Sequence, residues 1–173
     1  LFRKKLFYRQ LLAVIAEKPL DLSGIYRKLK VRKAGYISSC IDELIQAGFL
    51  ARHYTWDLKT GEASKLSQVR VIDNYTRFYF RCIRPNKPAV ERGATHLPAG
   101  IEGTLGLQFE NLILKNRPAI WSALQIDPAH IVFDNPYSQR PTRKLRGCQI
   151  DYMIQCRNNT VYVCEIKFSK RPL

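Results

Sequence analysis

Apolar residues recur at helical spacing through the first fifty residues. Phe7, Leu11, Val14 and Ile15 keep one face of a helix over 6–16, and Pro19 stops it. A second short helix is predicted over 21–30, with Asp21 or Ser23 as cap and Leu22, Ile25, Tyr26 and Leu29 inward. A third spans about 34–47 on Ile37, Ile41, Leu44 and Ile45, and Gly48 is its natural stop. The pattern then changes period: 49–56 reads as a strand, 59–62 as a turn and 65–72 as the return strand.

Beyond the hairpin, Asp73 is placed to cap a helix over 73–84 whose inward side carries Tyr75, Phe78, Tyr79, Cys82 and Ile83. That aromatic stripe reads as core rather than as a base-stacking surface. Three prolines and two glycines between 84 and 100 mark a linker. A further helix over 101–116 turns Leu105, Phe109, Leu112 and Ile113 inward, and Pro118 ends it; 121–124 reads as a short turn. A strand at 129–134 and a polar, basic loop at 135–144 lead to the last hairpin.

That hairpin, 146–168, has two β-rich runs around an Arg-Asn-Asn turn. Alternation puts Gln149, Asp151 and Met153 on one face, and Val161, Val163, Glu165 and Lys167 on one face. Cys148, Ile150, Tyr152, Ile154, Tyr162, Cys164, Ile166 and Phe168 point the other way. Apolar residues dominate both faces, so both are expected to be covered. Asp151, Glu165 and Lys167 interrupt that burial, and a buried charge calls for a partner or a metal. Two carboxylates on adjacent strands can hold Mg²⁺ and leave places for water and phosphate oxygens, with a lysine beside them to steady the developing charge. The plain alternative is an ion pair without chemistry.

The net charge of +15 on 173 residues favours an anionic partner, nucleic acid ahead of membrane. No apolar run approaches the ~18 residues of a transmembrane helix, and no signal peptide is visible. Cys40, Cys82, Cys148, Cys156 and Cys164 form no CxxC pair and sit in apolar patterns, so they read as free buried thiols in a reducing cytoplasm rather than as a zinc site. The first residue is not Met and the last follows a predicted strand, so the chain reads as part of a longer protein.

The order helix, helix, helix, two-stranded wing resembles the winged helix-turn-helix, and residues 38–50, Ser-Ser-Cys-Ile-Asp-Glu-Leu-Ile-Gln-Ala-Gly-Phe-Leu, resemble its recognition helix and first wing strand. The resemblance implies that the third helix enters the major groove of double-stranded DNA, with Arg32, Lys33, Tyr36, Ser38 and Ser39 nearest the bases. Arg27, Lys28 and Lys30 would meet phosphates, and Lys59 and Lys65 flank the wing tip. Many such domains instead bind protein, which leaves these charges as a solvated face.

The pattern Asp151, thirteen residues, then Glu165-Ile166-Lys167 resembles the core of the restriction-endonuclease-like PD-(D/E)XK nucleases. That likeness implies Mg²⁺ on Asp151 and Glu165, water positioned by Lys167 and a further acidic residue at Glu110 on the first helix. Separately, the basic loop with Arg140, Arg143 and Lys144 at the mouth of such a carboxylate site would suit a phosphate backbone. The phrases at 71–81 and 147–151 are similar to the C-terminal half of a group of prokaryotic AAA+ ATPases, in which an ATPase module precedes a winged helix and a nuclease-like domain. ATP is then expected only on that other module, because no GxxxxGK[ST] occurs here. Gln149 stands where that group commonly carries an acidic residue, and the nuclease-like domain is expected to be truncated.

The resulting expectation is an α+β chain. A winged helix-turn-helix occupies 1–84, a linker 85–100 and an α/β restriction-endonuclease-like domain 101–173. The expected function is DNA binding with Mg²⁺-dependent phosphodiester hydrolysis. The alternative is a non-catalytic DNA- or protein-binding regulatory module of the ATPase. An RNA-binding module has less support, since no stacked-aromatic RNA motif is present.

Overall fold

The computed structural model describes residues 2–32, 35–93, 96–98, 100–143 and 146–169, without the side chains of Phe2 and Arg3. It is a mixed α+β chain with a two-stranded and a three-stranded sheet. The chain divides into two compact units, one of Leu1–Arg52 with Gln68–Gln108 and the other of His53–Ser67 with Phe109–Leu173.

The first unit opens with three helices, α1 (Phe2–Glu17), α2 (Leu22–Leu29) and α3 (Gly35–Gln46). The Asp21 side chain caps α2 by accepting from Gly24 N at 2.7 Å. Lys30 closes α2 in the left-handed region at φ 55°, and Gly48 turns the chain after α3 at φ 78°. Strand β1 (Leu50–Trp56) pairs with β2 (Ala63–Val71), and Leu20 joins β2 through a bridge to Val69, with N–H···O bonds of 3.0 and 2.8 Å. The core joins Leu11 and Ile15 of α1, Ile25 of α2, Ile41 of α3, Leu50 of β1 and Val71 of β2, each 1% exposed or less.

Asp73 caps α4 (Asn74–Phe78) by accepting from Thr76 N. The helix then passes into a π-helical turn, Tyr79–Ile83, a 3-10 turn, Arg84–Asn86, and α5 (Lys87–Glu91). The inward stripe expected over 73–84 holds at Cys82, which is buried, with Phe78, Tyr79 and Ile83 half-buried, and is corrected at Tyr75. Tyr75 is 72% exposed, while Thr76 and Arg77 are buried, with Arg77 Nη2 donating to Val71 O. The π turn shifts the facing by one residue, so a strict 3.6 spacing misassigns the inward side. The stretch expected as a linker holds the 3-10 turn and α5.

In the second unit, α6 (Ile101–Lys115), whose first half belongs to the first unit, is followed by α7 (Arg117–Ala123). Leu112, expected inward, is 53% exposed. Leu114 of α6 and Ile120 and Trp121 of α7 pack on Tyr152, Ile154 and Cys156. The sheet runs β3 (Ile131–Gln139), β4 (Cys148–Cys156), β5 (Val161–Cys164), all antiparallel. β3 therefore continues through residues 135–139, where the sequence predicts loop, with Tyr137 opposite Ile150 and Gln139 opposite Cys148. Turn residues 121–124 belong largely to α7, which starts at Arg117.

The far half of the β1–β2 hairpin belongs to this second unit. Trp56 is 1% exposed; its ring stacks on Phe133 at 5.1 Å, and its Nε1–H donates to Gln155 Oε1 at 2.5 Å. Gln155 Nε2 donates to Leu58 O at 2.9 Å, and Tyr137 meets Trp56 edge-on at 5.3 Å.

Candidate functional site

Position 152 pairs with 164 and position 153 with 163 across β4 and β5. Asp151 and Glu165 are the next residues along the chain beyond the Tyr152–Cys164 pair, where the ladder ends. β5 stops at Cys164, but exposure keeps alternating through Lys167, with Ile166 half-buried and Glu165 and Lys167 exposed. Asp151 bridges the point where the ladder ends: its Oδ2 accepts from Ile166 N at 2.9 Å.

The expectation that both faces of this hairpin are covered is corrected. The side chains of Glu165 and Lys167 are 72% and 54% exposed, and they pair with each other at 3.2 Å. β5 is the edge of the three-stranded sheet, and Val163 beside them is 64% exposed. Of the hairpin's described residues, the second half of β4, Tyr152 to Cys156, is buried on both faces, while Cys148 and Gln149 at its start are exposed. Glu165 and Lys167 therefore sit where water screens them, and no burial penalty demands a metal.

Glu110 is half-buried on α6, one residue after Phe109, whose ring lies 5.9 Å from Phe168. Among the described residues no group of three or more His, Cys, Asp or Glu side chains is poised to hold a metal, so Glu110 does not complete a three-donor cage with Asp151 and Glu165. Mg²⁺ is commonly held by one or two carboxylates and keeps several waters. Asp151, with one oxygen committed to Ile166 N, and Glu165, open to solvent, fit that lighter demand.

Of the basic set, Arg27 and Lys28 lie exposed in the last turn of α2, followed by exposed Lys30 and Arg32. Lys28 pairs with Glu17. Tyr36 is 50% exposed at the start of α3 and tilts against Phe7 at 5.5 Å; Ser39 is exposed and Ser38 half-buried. The acidic residues of α3 are engaged elsewhere, Asp42 with Arg52 at 3.1 Å and Glu43 with Lys4 at 2.8 Å and with Tyr8. Lys59 and Lys65 are exposed on the far half of the hairpin, and Arg140 and Arg143 on the loop after β3. Lys33 and Lys144 lie outside the described residues.

A polar network that no sequence spacing announced lies on the other face of β4. Trp121 Nε1 donates to Tyr152 Oη, which donates to Asp134 Oδ2, both at 2.8 Å. Arg117 reaches Asp134 Oδ1 at 3.2 Å, Asp134 O at 2.8 Å and Asn135 Oδ1 at 3.0 Å. Burial and the adjacent Asp134 carboxylate push the Tyr152 hydroxyl well above the usual phenol range. Burial raises the Cys156 and Cys164 thiols, which makes them poor nucleophiles. Cys40, Cys82 and Cys156 are buried free thiols and Cys164 is half-buried, whereas Cys148 is exposed, against the expectation of burial throughout.

No described helix is long and apolar enough to cross a membrane. Comparison of the chain with family models, curated protein sequences and solved structures finds no match.

Proposed function

We propose that the chain is a DNA-binding part of a larger ATPase, a winged helix-turn-helix followed by a restriction-endonuclease-like domain, whose β4–β5 hairpin hydrolyses phosphodiesters with Mg²⁺. The observation that carries the reaction is that Asp151, held by Ile166 N at 2.9 Å, and the exposed Glu165–Lys167 pair come together where the β4–β5 ladder ends. Asp151 and Glu165 would hold the ion, which when bound supplies Lewis-acid polarisation of a phosphate oxygen. Lys167 orients water and offsets charge at phosphorus, and Arg140 and Arg143 take the neighbouring phosphates. The DNA reading is supported by exposed Arg27, Lys30 and Arg32 beside exposed Tyr36 and Ser39, and by the +15 charge.

A second reading has its own support. Asp151 is hydrogen-bonded to Ile166 N, Glu165 and Lys167 satisfy each other, and Trp56 anchors the far half of the β1–β2 hairpin on β3 and β4. These features suit a non-catalytic module that docks DNA or protein. Incubating supercoiled and single-stranded DNA with Mg²⁺ or Mn²⁺ separates the two. Metal-dependent nicking that Asp151→Ala abolishes supports the nuclease; DNA binding without nicking, equal in both proteins, supports the docking module.

A further inference from the structure

A cleft of about 420 Å³ in the first unit is lined by Ala13 and Glu17 of α1 and by Phe80, Arg81, Arg84 and Pro85 of the π-helical turn and its continuation. Its volume falls within the range of small-molecule sites. From these lining residues we infer a binding site for a small phosphate-bearing ligand, a pyrophosphate or the polyphosphate of a nucleotide, gripped by Arg81 and Arg84.

The charge of the cleft is the first support. Glu17, the one carboxylate among the described lining residues, is paired with Lys28. Arg81 is fixed by neutral acceptors, Nη1 on Glu17 O at 2.7 Å and Nε on Thr104 Oγ1 at 2.9 Å. Thr104 is fully buried and itself bonded to Gly100 O at 3.4 Å, so Arg81 is held in place without being neutralised. The Arg84 guanidinium lies over the Phe80 ring at 5.6 Å. Stacking of that kind leaves the N–H edge of an arginine turned outward, in the fork geometry that matches a phosphate.

The backbone is the second support. Arg84 N–H bonds to Tyr79 O, the five-residue span of a π turn. Such turns are costly relative to a regular α-helix and recur at functional sites. Here the turn sets Phe80, Arg81 and Arg84 together on the wall of the cleft.

The test is calorimetric titration of the full chain, at low salt and without metal, with sodium pyrophosphate and with ATP. Both are expected to bind, with Arg84→Ala weakening them about tenfold or more. Arg92→Ala removes an exposed arginine outside the cleft and is expected to change affinity by less than about twofold. Arg84→Lys retains the charge but not the fork, and is expected to fall between; it also stands in if circular dichroism shows Arg84→Ala to be unfolded. Absence of binding to either probe overturns the proposal. So does an equal loss in Arg84→Ala and Arg92→Ala, or a loss confined to duplex DNA affinity.

Discussion

Trp56 and Phe133 stack with their rings 5.1 Å apart and 11° from parallel, joining residues 77 positions apart in sequence within one unit. Trp56 is nearly inaccessible to water, so removing it leaves a large cavity as well as losing its transfer free energy. Trp56→Ala is expected to cost about 3–5 kcal/mol, read from urea unfolding followed by far-ultraviolet circular dichroism. A cost under about 1 kcal/mol would mean that the far half of the hairpin is loosely held.

Gln155 satisfies two groups at once, accepting from Trp56 Nε1 and donating to Leu58 O. Gln155→Ala leaves the buried Trp56 Nε1–H without its partner, whereas Leu58 is exposed enough for water to replace the lost bond. The expected loss is about 1–3 kcal/mol. Gln155→Glu, which keeps the acceptor but puts a charge in a buried place facing Leu58 O, is expected to be destabilising at neutral pH and less so in acid. Thermal unfolding of the two variants side by side checks this.

Tyr152 ties pH to stability. Its phenol is raised from an ordinary value of 10.0, first by burial and then by Asp134, so the folded chain holds the proton more tightly than the unfolded chain. The contribution is therefore complete below about pH 10 and is lost as pH rises from there through the folded value. Spectrophotometric titration at alkaline pH is expected to show Tyr152 among the last of the nine tyrosines to ionise. Tyr152→Phe should remove that late step and flatten the alkaline fall in stability.

Asp151 offers a way to separate structure from chemistry. Asp151→Asn retains a side-chain oxygen for Ile166 N and discards the charge, whereas Asp151→Ala discards both. Stability near wild type in Asn and a loss of about 1 kcal/mol in Ala is the expected pattern. If the carboxylate holds Mg²⁺, nicking disappears in both variants; nicking that survives in Asn would remove Asp151 from the metal site.

Arg32 and Lys30 are exposed beside α3. If they contact phosphates, Arg32→Ala is expected to weaken duplex DNA binding across sequences and to reduce the slope of log K against log salt by about 1. Fluorescence anisotropy at four salt concentrations measures the slope. An unchanged slope would take Arg32 off the DNA-facing surface.

The order of the elements was legible in the sequence because it rests on local forces. Caps at Asp21 and Asp73, the left-handed turn at Gly48 and the apolar faces of α1 to α3 are set by residues within a few positions of each other. The β4–β5 hairpin was legible for the same reason, since alternation and the Arg-Asn-Asn turn act over short range. Where local patterning meets a change of helical period it failed, as the exposed Tyr75 and buried Arg77 before the π turn demonstrate.

What only the tertiary structure decided is which surfaces meet. The sequence placed Asp151, Glu165 and Lys167 in one pattern, but the edge position of β5 left Glu165 and Lys167 in water, because burial depends on what packs over a strand and not on its own residues. Trp56 looked like one more strand residue until Phe133 and Gln155, far along the chain, closed around it. Arg117, Asp134, Tyr152 and Trp121 likewise share no spacing that betrays them; they form a network only because α7 lies across the sheet, where each polar group needs a partner once water is gone.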